Sequence, residues 1–528
     1  CTSGNTETNA KSIMDQVWML TMEKTDYDMP AGRSTLIERA VDVSMLDFSQ
    51  ADAIIQSGYD DTMALMDSLK SAVPRRMSRG EALRRRAAFR ERCPELLFNR
   101  YAIEGLNPAQ TTYVRDNMQL DHQHDGEPKI LSFERVKDKY FSVLADGNFS
   151  TEYPYMRYDP KSGYYGIDFR LTTKPDYKIL IGGNISSTAF NQAYIGINYK
   201  NIGRVAQQLG ADLYLGPIYT WGAIGGRTDF YAWKPIFLDY SYNFAVRNFR
   251  HGYFGNVTKV RNAQQVKNSE SFFSTGVGMP LTHRSLLTLR ANAGHVNYRY
   301  DSDVLFADDT DHSRFSFFGL RAGVARNTLD KFLYPRRGSE LHLSAIYVAG
   351  RDKYQPYDAK DFISRETRQW FGGRFSWDKF FDVPGVSWFS FGLNVDAVWT
   401  NHPRFRTESA TLMSMPDYAP VPHARMIYMP DFRGKRFAAW GLMPTFDLLP
   451  NCFFRTGFYT MFREKRDFNP LKNPDERWHY IAEASLVYHT LIGPVSLALT
   501  KYDLKNWRNM YLTFNFGYAI FAPKGTFY

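Results

Sequence analysis

Residues Tyr511 to Ile520 read YLTFNFGYAI. One parity holds Leu512, Phe514, Phe516, Tyr518 and Ile520, and the other holds Tyr511, Thr513, Asn515, Gly517 and Ala519. Side chains of a strand alternate between its faces, so this segment predicts one broad apolar face and one polar or small face. Similar runs recur from about Thr173 to Tyr528. A soluble sheet would bury each apolar face against a core, and nothing in the chain is left over to cover so many. Lipid outside and a wet or plugged lumen inside explain all of them, which predicts a transmembrane β-barrel.

Composition agrees. Mean hydropathy is -0.42 and 23% of residues are charged. No stretch approaches the roughly 18 to 20 apolar residues of a transmembrane helix. Spanning strands escape that test because half of each is polar. The 16% aromatic content, with 40 Phe, 34 Tyr and 10 Trp, fits aromatic girdles at both membrane interfaces better than it fits a large soluble sandwich. The net charge of +10 is not gathered with stacking aromatics into one module, so it predicts no nucleic-acid partner. Spread over many hairpin ends, it suits rims and loops facing the anionic headgroups of outer-membrane lipids. Three cysteines, Cys1, Cys93 and Cys452, give neither a disulfide framework nor metal-ligand spacing. Cys1 reads either as the acylated first residue of a processed lipoprotein or as an accident of where the sequence starts. A barrel must be exported, and no charged-plus-apolar leader precedes Cys1. Either a leader was processed off or an N-terminal part is missing.

Three regions follow one another. Residues 1–96 are α-rich. Lys11 to Thr25 reads as a helix and Leu36 to Asp42 as a short strand. A helix carrying Ala51, Ile54 and Ile55 follows an N-cap at Asp47 or Ser49 and is interrupted or ended by Gly58. A second helical run covers Asp61 to Ser71. After Pro74, Ser78 to Arg92 is basic, with Arg79, Arg84, Arg85, Arg86, Arg90 and Arg92, and suits either a solvated helix face or anionic headgroups. Residues 97–173 form a small α+β unit of the size of a periplasmic adaptor. It has a strand at Tyr101 to Gly105, a helix at Ser132 to Leu144 with Phe133, Val136, Lys137, Tyr140 and Leu144 on one face, and a closing strand at Tyr164 to Leu171. Residues 174–528 show fourteen strands, with others expected in the weakly patterned stretches 219–233 and 254–276. About 22 residues per strand and turn over this region imply an even count near 16.

Particular segments resemble a family. Ser44 to Tyr59 (SMLDFSQADAIIQSGY) resembles the closing part of patatin-like phospholipase domains from outer-membrane proteins of Bacteroidetes. Leu106 to Met118 with Phe133 to Phe149 resembles the single POTRA-type domain between hydrolase and barrel. Ile181 to Ser187 (IGGNISS), Asn191 to Tyr194 and Thr490 to Ser496 (TLIGPVS) resemble hairpins of that family's barrel. Asn327 to Gly338 (NTLDKFLYPRRG) resembles a segment shared with the wider superfamily of outer-membrane assembly and secretion barrels. The resemblance implies a mainly β chain: an α-rich remnant of an α/β hydrolase domain, a POTRA-like periplasmic domain and an outer-membrane antiparallel barrel of about 16 strands. It also implies a parent protein that hydrolyses phospholipid acyl esters with a Ser-Asp dyad. The chain has no G-x-S-x-G elbow and no Asp-Gly pair with the required third residue, so no catalytic residue carries over. No cofactor is implied.

Other constellations have modest readings. Asp121, His122, His124 and Asp125 crowd carboxylates and imidazoles together, but beside Gly126 and Pro128 they read chiefly as a turn, and no metal ligand is assigned. Asp301 to Asp311 reads as an extracellular loop without calcium-hand spacing. Asp330, Arg336, Arg337 and Glu340 lie in the superfamily-like segment. Family barrels tuck a loop into the lumen and hold it by arginine–carboxylate contacts. Phe432-Arg433-Gly434, within Asp431 to Arg436, is the nearest candidate for such an insert, a surface turn being the other reading.

Three functions compete. The first is an outer-membrane anchor, with possible export or display of a patatin-like phospholipase, whose fragment is inactive alone. The second is an assembly or translocation barrel whose adaptor receives unfolded partners by strand addition. The third is a porin-like channel. The N-terminal domains would be periplasmic or surface-exposed, and a homo-oligomer is possible but not legible.

Overall fold

The computed structural model describes residues 35–37, 51–73, 77–120, 130–145, 147–186, 192–217, 219–232, 234–249, 266–282, 284–301, 310–386, 388–425, 427–465, 477–490, 493–502, 510–517 and 524–526. The chain forms two compact units, Cys1–Glu95 and Leu96–Tyr528.

In the first unit, α1 (Ala51–Ala64), α2 (Met66–Ala72) and α3 (Arg79–Arg92) bury none of their described residues. Gly58 does not end α1. A single glycine costs an exposed helix only about 1 kcal/mol, and the break falls at Leu65 instead. Ser78 caps α3, its hydroxyl accepting from Glu81 N at 3.2 Å. Lys11 to Thr25 and Pro74 lie outside the described residues.

The second unit starts with an α+β domain. β1 (Leu97–Glu104), α4 (Pro108–Met118), β2 (Leu131–Ser132), α5 (Phe133–Ala145), β3 (Phe149–Thr151), β4 (Tyr155–Asp159) and β5 (Tyr164–Thr173) make one sheet backed by two helices. Asn107 and Gln110 form a capping box around Pro108, which fixes the start of α4. Tyr113, Val114 and Met118 of α4 meet Val136, Tyr140 and Val143 of α5 over Phe98, Ile167 and Phe169. Val143, rather than Lys137, completes the buried face of α5. β1 and β5 run parallel and central, while β3 and β4 share the other edge of β5. This core continues into Ile202 and Ala206 at the first inner turn of the barrel, and Lys200 Nζ donates to Asn148 O at 3.3 Å. The domain therefore sits at one mouth of the barrel, here called inner.

Sixteen antiparallel strands then close on themselves. They are β6 (Tyr177–Ser186), β7 (Gln192–Ile202), β8 (Ala206–Leu215), β9 (Tyr219–Tyr231), β10 (Pro235–Phe249), β11 (Val266–Thr282), β12 (Ser285–Asp301) and β13 (Thr310–Asn327). The second half is β14 (Gly338–Gln355), β15 (Ser364–Asp382), β16 (Phe389–Thr400), β17 (Arg436–Leu449), β18 (Cys452–Arg463), β19 (Trp478–Thr490), β20 (Gly493–Lys501) and β21 (Met510–Gly517). The predicted alternation holds in β21, where Leu512 and Phe514 are 46% and 39% exposed on the outside while Thr513 is 1% exposed within. Trp399, Trp440 and Trp478 are exposed toward the outer rim, and Trp388, Tyr177 and Tyr199 toward the inner, as two aromatic belts require. The apolar outer surface of a closed ring with no free sheet edge is what hydrocarbon demands. The molecule is an outer-membrane β-barrel.

Candidate functional site in the lumen and at the barrel seam

The connection between β16 and β17, residues 401–435, does not leave the barrel. It folds into the lumen, carrying α6 (Glu408–Ser414) and two short 3-10 turns, His423–Arg425 and Pro430–Phe432. Its Phe405, Ala410, Met413, Tyr418, Val421, Ile427, Met429 and Phe432 make one apolar cluster with wall residues that include Val296, Phe315, Val348, Trp370, Met461 and Ile481. The Phe315 ring lies 5.5 Å from Trp370 and 5.3 Å from Phe405. Polar contacts fix the register of the insert: Thr407 Oγ1 to Tyr300 Oη at 2.7 Å, Tyr418 Oη to Asn394 Oδ1 at 2.7 Å, and His423 Nδ1 with Tyr502 Oη at 2.7 Å. Burial drives the His402 imidazole down to about 3 and that of His423 to about 4. Among the described residues the insert thus makes a packed core with polar pins inside the lumen.

Arg433 organises the insert. Its Nη1 donates to the carbonyls of Leu412 (3.3 Å), Met413 (2.9 Å) and Met415 (3.2 Å), and its Nη2 lies 3.2 Å from Asp417 Oδ2. Asp417 and Arg433 also form an isolated backbone bridge. The candidate Phe432-Arg433-Gly434 therefore sits in the lumen and not at a surface turn, and Arg433 pairs with a carboxylate of the same insert. Burial alone would raise the Asp417 carboxyl. The Lys524 ammonium and Arg433 guanidinium beside it offset that and hold it well below the usual carboxylate range.

A second element enters from the inner mouth. The turn between β13 and β14 includes Asp330, whose Oδ1 accepts from Arg336 N at 2.9 Å and Arg337 N at 3.1 Å. The Arg336 side chain pairs with Asp447, and Arg337 Nε lies 2.6 Å from Asp382 Oδ2. Glu340 stands apart, accepting from Asn327 at 3.0 Å. Tyr334, at φ 52°, reaches Ser496 Oγ on β20 at 2.7 Å. The turn thus spans from β13 and β14 to the wall near the closing strands.

The ring closes where β21 meets β6. Among the described residues this seam comprises the pairs from Thr513↔Ser186 to Gly517↔Gly182. By contrast β12 and β13 pair along their whole length, from Ser285↔Arg326 to Asp301↔Thr310. Gly517 has φ +63°, which takes the chain out of the extended conformation at the last described pair. The outward side chains of β6 below that point, Ile179 and Ile181, are more than half exposed.

No family model matches the chain, and no curated protein matches it. Among solved structures, BamA from Haemophilus ducreyi lacking POTRA domains 1–3 aligns with 80% of this chain and 84% of its own, at a TM-score of 0.51 and 12% identity. CdiB from Acinetobacter baumannii aligns with 96% and 97%, at a TM-score of 0.50 and 9% identity. The fold is that of BamA and CdiB. At such identities the likeness speaks to fold alone.

Within this BamA- and CdiB-like fold, sequence reading found the Arg433 segment but not the extent of the insert around it. A signal was present. Phe405, Leu412, Met413, Met415, Tyr418, Ile427, Met429 and Phe432 are too apolar a set for a strand-to-strand connection left in water. Asp121, His122, His124 and Asp125, with residues 302–309, lie outside the described residues, and among those described no cluster of three or more metal-ligating side chains occurs.

Proposed function

We propose that this chain handles other polypeptides at the outer membrane, as an assembly or translocation barrel. The observation that carries this reading is the closing seam, short among the described residues, with the positive-φ Gly517 at its last described pair. Strand pairing is the main cohesion of a barrel wall, so the ladder with the fewest described pairs is where a neighbouring strand is admitted at least cost. The α+β domain at the inner mouth supports the same reading. Its edge strand β4 is exposed at all five residues, with Tyr155, Met156 and Tyr158 uncovered and Tyr153 just before it almost wholly so. Such an edge offers an extended partner backbone hydrogen bonds and aromatic contacts together. The fold shared with BamA and CdiB, and the resemblance of NTLDKFLYPRRG to assembly and secretion barrels, favour this reading over an anchor.

The test is folding in vesicles. A denatured outer-membrane barrel added to proteoliposomes holding this protein should reach its protease-resistant form faster than in empty vesicles. Equal rates would sink the proposal.

The anchor reading keeps one supporting observation. The described helices α1, α2 and α3 bury nothing within their own unit, as parts of a larger hydrolase would. It predicts that the chain by itself hydrolyses no acyl ester, and a purified sample with sustained turnover would contradict it.

A further inference from the structure

The lumen holds a third inserted segment, separate from residues 401–435 and from the turn between β13 and β14. Residues Lys524, Gly525 and Thr526 lie between the insert and the wall made by β11, β12 and β13. Lys524 Nζ is 2.8 Å from Asp417 Oδ2 of the insert. On the wall side, Gly525 N donates to Glu270 Oε1 at 2.6 Å, and Asn292 Nδ2 donates to Gly525 O at 2.7 Å. Both backbone groups of one residue are thus taken by side chains from two strands, which is how a site holds a peptide by its backbone. Arg247 Nη1, at 3.4 Å from Glu270 Oε2, orients that carboxylate. The fit at the middle residue is close. A Cβ on Gly525 would lie 2.4 Å from Phe317 and 3.0 Å from Phe272. The remaining cavity, bounded by Arg247, Glu270, Tyr298, Arg433, Lys524 and Thr526, is only about 30 Å³ and has room for little more than a water.

Its place in the ring gives this contact its consequence. Glu270, Asn292 and Phe317 belong to the sixth, seventh and eighth strands counted from β6, across the ring from the seam. Residues 524–526 follow β21, the strand that closes that seam. We propose that the lumen contains a peptide site selective for a Lys-Gly turn, filled in cis by residues 524–526, and that its occupancy latches the insert to the wall. The lysine is read by Asp417, the glycine by the clearance under Phe317, and the backbone by Glu270 and Asn292. An emptied site removes the tie that Lys524 and Gly525 make from Asp417 of the insert to Glu270 and Asn292 of the wall, and frees residues 524–526. This latch does not depend on the polypeptide-handling role proposed above.

The experiment is single-channel recording of the full chain in planar bilayers. Lys524→Met and Asn292→Leu, which attack the latch from opposite sides, should each raise open-state occupancy at least about tenfold, because the first removes one of the two cations beside Asp417 and the second removes the donor to the buried Gly525 carbonyl. Lys524→Arg should stay closed. The peptide Ala-Pro-Lys-Gly-Thr-Phe, matching residues 522–527, should close the Lys524→Met protein when added in excess, and the same peptide with Met for Lys should not. Folding is checked by retained heat-modifiable migration on gels. Folded Lys524→Met and Asn292→Leu proteins as closed as the parent would overturn the latch. Open variants on which the two peptides act alike would overturn the peptide site.

Discussion

A side chain at Gly517 would place its Cβ 2.2 Å from the carbonyl oxygen of Ile181, across the closing seam. With φ at +63°, this position excludes side chains twice, by conformation and by contact. Gly517→Val should therefore loosen β21 from β6, at a cost of about 1–3 kcal/mol for the strained residue. Heat-modifiable unfolding in detergent should shift to lower temperature, while Gly203→Val, at a glycine with open space around it, should leave the transition in place.

Arg433 satisfies three carbonyls and one carboxylate inside the lumen. Arg433→Met should cost about 3–5 kcal/mol in insert docking, since it strands Asp417 without that partner and removes donors from buried carbonyls. Arg433→Lys should recover only part of this, because an ammonium cannot reproduce the planar fork. Conductance in planar bilayers should rank Met above Lys above the parent protein. Equal conductance for all three would show that Arg433 does not hold the insert.

The insert should also respond to acid. His402 packs 4.6 Å from the Trp370 ring, with the charges of Lys435 and Arg368 nearby, and His423 lies 4.9 Å from Tyr511 and bonds Tyr502. Both stay neutral when docked, to about 3 and about 4, whereas a released imidazole protonates near 6.5. The released state binds more protons below pH 6.5, so docking is strongest above that pH. It weakens as pH falls toward 4, by up to about 1.4 kcal/mol per unit for each histidine. Channel opening should increase between pH 6.5 and 4.5, and His402→Phe with His423→Phe should flatten that dependence. A pH response unchanged in the double variant would place the sensor elsewhere.

How much was legible follows from which positions carry side chains. β6 reads from Tyr177 to Ser186 in both sequence and structure, its outward parity carrying Tyr177, Ile179, Ile181 and Ile185. The two strands without a clear pattern, β9 and β11, fall in the stretches 219–233 and 254–276. In β9 the alternation is erased by Gly222, Gly225 and Gly226, and the space over two of them is taken by neighbouring rings. A Cβ on Gly222 would meet Phe244 at 2.4 Å and one on Gly226 would meet Tyr240 at 2.7 Å. The apolar cover thus comes from β10, which a single-strand pattern cannot show. In β11, Glu270 and Phe272 both face inward because they meet the lumen's contents, so polarity ceases to mark the face. The insert was hidden for a related reason: its side chains pack inside a ring in no regular period. Asp417 and Lys524 are 107 residues apart, and nothing in local sequence joins them.

The seam is the proposed place where a client strand enters. Asn515 and Asn184 are register partners across it. In a protein whose native cysteines are replaced by serine, Asn515→Cys with Asn184→Cys should form a disulfide on oxidation and hold β21 to β6. The decisive measurement is the folding rate of a denatured outer-membrane barrel in proteoliposomes, with this bond closed and then reduced. The account predicts that acceleration over empty vesicles disappears in the oxidised protein and returns on reduction. Acceleration that persists undiminished with the seam bonded shut would contradict it.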